Sequence, residues 1–185
     1  MTPAMNTTFQ LDFPSTLLVR FAFFLTRTRA RAKAGRIQHL EDISYRLLVK
    51  AMTLPADATA HAFRPLLELA SAVPPVEWGF LANEESGGRK VLVDNTYLKV
   101  VLIRWAPGEA CARHFHPNGG GMFTVLEGAI REDRFLNASV PLPYETRVHG
   151  AGAMSYIDDT LGAHIVSNTA EHAAVTLHAY LKYRV

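Results

Sequence analysis

From Lys90 to its C-terminus the chain is a succession of short β-forming runs cut by turn residues. The runs fall at residues 91–93, 97–105, 122–126, 129–135, 154–157, 164–166 and 175–185, and Val, Ile, Leu, Phe and Tyr dominate them. Asp94-Asn95, Pro107-Gly108, residues 118–121, Glu127-Gly128 and Leu161-Gly162 supply the breaks, because Gly, Asn and Pro favour backbone angles that a strand does not use. Strands so short and so closely spaced must close on one another to bury a face. The expectation is an all-β sandwich or barrel.

Residues 37–73 follow a different period. Ile37, Leu40, Ile43, Leu47 and Leu48 recur at three- and four-residue steps, and Phe63, Leu66, Leu67 and Ala70 repeat the pattern beyond Pro55. That spacing places one apolar stripe along a helix. Pro74-Pro75 is expected to stop helix formation. We therefore expect a helical cap over about residues 37–75, packed on the barrel as part of one domain spanning 37–185.

Residues 1–36 read as an N-terminal extension. Leu17 to Leu25 is apolar but broken by Arg20, and Arg27, Arg29, Arg31, Lys33 and Arg36 follow it. A secretory signal carries its positive charge before the apolar run, and this run is too short to span a bilayer. A short helix with a solvated basic edge, or an ill-ordered segment, is the favoured reading over a membrane-surface arm. The single cysteine, Cys111, excludes an intrachain disulfide and fits a reducing compartment. The formal net charge of +2 is too small to argue for nucleic acid. The expectation is a cytoplasmic monomer or homodimer with neither nucleic-acid nor membrane partners.

Chemistry concentrates in the stretch from Gly108 to Gly128, which contains His114-Phe-His116. On a strand, a spacing of two points both imidazoles to one face. A third donor converging on that face makes a metal site, and His164 is the candidate. His39, His61, His149 and His172 fall in helical or polar turn segments and are read as surface residues.

Gly108, five residues, His114-x-His116, and then Gly128 twelve positions on resemble the first motif of the cupins. Gly162-x-His164-x-x-x-Asn168 resembles the second, with one residue fewer between glycine and histidine. Most cupins carry a glutamate ligand where this chain has Gly121. A cupin without that glutamate and with three histidines is similar to the cysteine dioxygenase family of thiol dioxygenases. Thr176-x-His178-x-Tyr180 is similar to that family's Ser-x-His-x-Tyr signature, and the resemblance covers roughly residues 37–185.

The resemblance implies a double-stranded β-helix, with Fe(II) held by His114, His116 and His164. It implies that His178 orients the Tyr180 hydroxyl toward substrate and oxygen. Animal members link a cysteine to this tyrosine through a thioether; the aligned residue here is Gly121, so no crosslink is expected. Members acting on free cysteine hold its carboxylate with an arginine in a Tyr-x-Arg pattern. The nearest match is Gly87-Gly88-Arg89, without the tyrosine, while the group acting on 3-mercaptopropionate has glutamine there. Arg89 is the candidate clamp, with Arg104 and Arg113 as alternatives, because a planar guanidinium binds carboxylate through two hydrogen bonds.

Three uncharged imidazoles leave a divalent metal its full charge, which favours an incoming thiolate. The leading expectation is an Fe(II) enzyme that adds both atoms of O2 to a small thiol, such as cysteine or 3-mercaptopropionate, giving a sulfinic acid. Two alternatives stand beside it. One is a three-histidine cupin acting on a diketone or sugar through oxygen ligands, and the other is a non-catalytic small-molecule sensor. Cys111 reads as a small buried hydrophobe on the strand entering the site.

Overall fold

In the computed structural model the described residues are 40–79, 88–117 and 119–182. The expected N-terminal extension and His39 lie outside them. Among the described residues, no helix is long and apolar enough to cross a membrane.

The cap begins with helix α1, Leu40–Thr53, which carries Glu41 and Asp42 in its first turn and Lys50 in its last, the arrangement its dipole favours. A 3-10 turn at Ala60–Phe63 leads into helix α2, Arg64–Ala70, with Pro65 in its first turn, where a missing N–H costs nothing. Pro74-Pro75 does end α-helix, but a 3-10 turn follows at Pro75–Glu77, because proline's fixed φ suits the first position of such a turn.

Eight strands follow: β1 Gly88–Asp94, β2 Leu98–Trp105, β3 Gly121–Glu127, β4 Ala129–Phe135, β5 Glu145–Gly150, β6 Met154–Ile157, β7 Ala163–Ser167 and β8 Ala174–Leu181. They form two antiparallel sheets, ordered β1-β2-β8-β3-β6 and β5-β4-β7. Strand β5 has no counterpart in the sequence reading. Its residues Glu-Thr-Arg-Val-His-Gly are mostly exposed, so it lacks the apolar alternation that marks a half-buried strand.

The larger sheet buries apolar residues on both faces. Leu98, Val100, Leu102, Met122, Leu177 and Ala179 face the cap and pack with Ile43, Leu47, Phe63 and Leu67. Val101, Ile103, Trp105, Phe123 and Val125 face inward and meet Ile130 and Val166 of the smaller sheet. This two-sided burial is why β2 and β8 read as continuous hydrophobic runs rather than alternating ones. The architecture is a cupin, the double-stranded β-helix that the sequence motifs imply.

Gly162 fixes one corner of it. Its φ is +92°, and a Cβ there would stand 2.1 Å from the Phe135 carbonyl oxygen, so only glycine fits where β7 begins.

Candidate metal centre

His114 and His116 do not lie on a regular strand. The segment makes single bridges, Ala110 to Ser167 and His114 to His164, and Pro117 then supplies no N–H for a further rung. The period of two still operates on this extended chain. Phe115 is 42% exposed, whereas His116 between it and Pro117 is buried.

The reciprocal backbone bonds between His114 and His164, at 3.1 and 3.0 Å, bring the third histidine alongside the pair. Ring centroids lie 4.6 Å apart for His114–His116, 4.7 Å for His114–His164 and 4.9 Å for His116–His164. One nitrogen from each ring falls within a 4.8 Å group, and His116 Nε2 is 2.9 Å from His164 Nε2.

The remaining nitrogens show why this group suits a metal. His114 Nδ1 lies 2.8 Å from the Ala112 carbonyl oxygen, and His164 Nδ1 lies 2.8 Å from Glu132 Oε1. Both acceptors require an N–H at Nδ1, which leaves a lone pair on each Nε2 aimed into the cluster. Burial, and then the neighbouring His164 and His114, push His116 down to about 3. Burial likewise lowers His164, against the pull of Glu132, whereas the contact with Cys111 raises His114. Neutral imidazoles with converging lone pairs are a donor set for a divalent cation.

Glu132 is the residue that the sequence reading missed. It is fully buried on β4, where Ile130, Glu132 and Arg134 alternate inward. Beyond His164, its Oε2 accepts from Ser155 Oγ at 2.6 Å, His149 Nε2 at 3.1 Å and Arg134 Nη2 at 3.2 Å. Burial alone would raise this carboxyl, but the bonds from His149, His164 and Ser155, with the Arg134 charge, hold it well below the usual range. A signal was available: a carboxylate two residues from Ile130 on a β-run with that alternation belongs to the buried face.

His149 corrects the surface reading given to it. It is buried at 7% exposure on β5, because Glu132 satisfies its ring nitrogen inside the barrel. His61 and His172 are exposed. Cys111 is half-buried off the strands rather than on one, accepting from Val166 N at 3.2 Å and lying 3.7 Å from His114 Nδ1.

On β8 a relay runs outward from the core. Trp105 Nε1 donates to Thr176 Oγ1 at 2.8 Å, Thr176 Oγ1 is 2.8 Å from His178 Nε2, and His178 Nδ1 is 2.9 Å from the Tyr180 hydroxyl. Indole can only donate, so Thr176 Oγ1 accepts from Trp105, and His178 Nε2 is the acceptor that the described hydrogen bonds offer its proton. The imidazole N–H is then at Nδ1 and points to the tyrosine oxygen. That leaves the tyrosine's own proton free for the pocket. Burial raises the Tyr180 hydroxyl well above its ordinary value and holds His178 well below its own, so the first stays protonated and the second neutral. The Tyr180 ring stacks on His116 at 5.2 Å and 7°.

A pocket of about 410 Å³ opens over these groups, lined by Arg89, Val101, Ile103, His114, His116 and Tyr180 among others. Arg89 stands across the ladder from Ile103, on the inward face of β1. Arg113 is engaged elsewhere: Nη1 donates to the Ala138 and Val140 carbonyls and its guanidinium covers the Phe135 ring at 3.6 Å. Arg104 borders a separate cavity with Trp78 and Glu127. Of the three arginines, Arg89 alone lines the pocket that His114, His116 and Tyr180 share.

The fold and the three-histidine group together define a cupin with a metal-binding site. The chain belongs to the cysteine dioxygenase type I family, whose model matches residues 59–183. Among solved structures it is similar to a Bacillus halodurans protein, at 17% identity over 58% of this chain and 78% of that one, TM-score 0.48. It is also similar to a cupin superfamily protein from Desulfitobacterium hafniense, at 13% identity over 60% and 91%, TM-score 0.46. A cupin-2 domain containing protein from Shewanella frigidimarina matches at 13% identity over 61% and 97%, TM-score 0.44.

Proposed function

We propose that the protein is an iron(II)-dependent thiol dioxygenase acting on a small carboxylated thiol, cysteine or a close analogue such as 3-mercaptopropionate. Thiolate and O2 combine to a sulfinate, both oxygen atoms ending on sulfur, which gives up four electrons so that no outside reductant is needed. The observation that carries the proposal is that Arg89, Tyr180 and two histidines of the metal group line one pocket in a chain of this family.

His114, His116 and His164 would hold the iron, which supplies the redox chemistry joining a thiolate to dioxygen. Arg89 receives the substrate carboxylate in its guanidinium fork, fixing how far the sulfur reaches toward the histidines. Tyr180 directs its free proton at the substrate or oxygen, and His178 holds that hydroxyl in place. Val91, Val101, Ile103 and Leu181 give the pocket apolar walls that thin out competing water. A neutral diketone or sugar would leave the charge of the exposed Arg89 guanidinium unused.

The test is a panel of thiols and diketones given to the iron-loaded protein, with oxygen uptake recorded and products identified by mass. The expected result is uptake with a carboxylated thiol and a product heavier by two oxygen atoms. Iron retained with no uptake on any thiol would overturn the proposal in favour of a small-molecule sensor.

A further inference from the structure

We infer that Glu132 is a positioning residue for the metal group, delivering through His164 the negative charge that most cupins bring to the metal directly. The inference rests on the reading that His114, His116 and His164 hold a metal, and it concerns how unequal those three ligands are.

The two oxygens of Glu132 are used differently. Oε1 accepts from His164 Nδ1 at 2.8 Å, while Oε2 gathers Ser155, His149 and Arg134. A carboxylate serving only to neutralise Arg134 has no need to spend one oxygen on a histidine of another strand. His114 is oriented by contrast through the neutral Ala112 carbonyl. The two second partners differ by a full charge, and so will the electron density their imidazoles offer.

Position 121 explains why the charge stands one step back. A Cβ on Gly121 would come within 2.6 Å of Tyr180 Cδ1, so a glutamate there and the stacked Tyr180 cannot coexist without movement. Glu132 reaches the same centre from the opposite sheet, through the imidazole, with zero exposure. Its network spans β4, β5, β6 and β7 through Arg134, His149, Ser155 and His164. The carboxylate is therefore held on both oxygens and cannot swing away from His164.

Full-length protein is loaded with ferrous iron, and two quantities are measured: affinity by chelator competition and the Fe(III)/Fe(II) potential by redox titration. Glu132→Gln keeps an acceptor for His164 but removes the charge, so affinity should fall about 10- to 100-fold and the potential should rise. Ser155→Ala removes a donor from Oε2, concentrates charge on Oε1, and should move the potential the opposite way. A purely structural network would lower the melting temperature in both variants and leave both potentials at the parent value. Affinity and potential of Glu132→Gln matching the parent would sink the inference alone. Should Glu132→Gln not fold, a Ser155→Ala potential at or above the parent's would sink it. A parent that binds no iron would sink the metal reading and this inference with it.

Discussion

Gly121 lies directly across the β3–β8 ladder from Tyr180, and its missing side chain is the space that the tyrosine ring fills. A methyl group added at 121 would meet Tyr180 Cδ1 at 2.6 Å and Cε1 at 3.0 Å. Position 121, which faces the ring, carries no thiol. This couples the β3 backbone to the placement of the hydroxyl above His116.

Gly121→Ala should push the ring off His116 and lower turnover by about 100-fold, the order expected for an ångström-scale misplacement. Overpacking should cost about 1–3 kcal/mol of stability. Thermal melts and single-turnover kinetics on the same preparation check both. Unchanged kinetics would show that the ring position is not limiting. Intact mass of the unmodified protein should show no loss of two hydrogens between Cys111 and Tyr180.

Tyr180→Phe removes the free proton but keeps the ring stacked on His116. Turnover should slow while iron content, measured by metal analysis, stays at the parent level. Thr176→Val is close to isosteric yet strands Trp105 Nε1 and His178 Nε2, a loss of about 1–3 kcal/mol for each buried group left unpaired. Its turnover should fall in the same direction as that of Tyr180→Phe, because the Tyr180 hydroxyl loses the oriented imidazole behind it.

Arg89→Ala should raise the KM for a carboxylated thiol by roughly 10- to 100-fold, the worth of a charge-assisted bond, with iron content unchanged. Arg113→Ala should leave that KM alone, since its guanidinium is engaged with Ala138, Val140 and Phe135. Equal effects from the two variants would argue against Arg89 as the carboxylate partner.

The metal-free protein should lose stability as pH falls below 6.5. Burial, and then the neighbouring histidine charges, keep folded His178 neutral well below that ordinary value. The unfolded chain protonates it near 6.5, binds more protons, and gains on the folded state by about 1.4 kcal/mol per pH unit per group. His116, lowered to about 3, and His164, lowered by burial, act with the same sign across that window, while His114, raised by its contact with Cys111, acts against them. Denaturant titrations between about pH 7 and about pH 5 check this, and a flat profile would contradict it.

Residue order alone carried the β-rich body, the helical cap and the residues of the metal group. Turn residues, apolar periods and motif spacing are local signals, and they sufficed for seven of the eight strands. It did not reveal β5, whose exposed polar residues carry no period, nor the burial of His149 on it. Nor could it choose among Arg89, Arg104 and Arg113 for the pocket, because which face of β1 or β2 turns inward is set by pairing with distant strands. Glu132 is the clearest case of a role that emerges only on folding. Its four partners come from four strands, and a buried carboxylate becomes a stable charge only when folding brings all their donors to it.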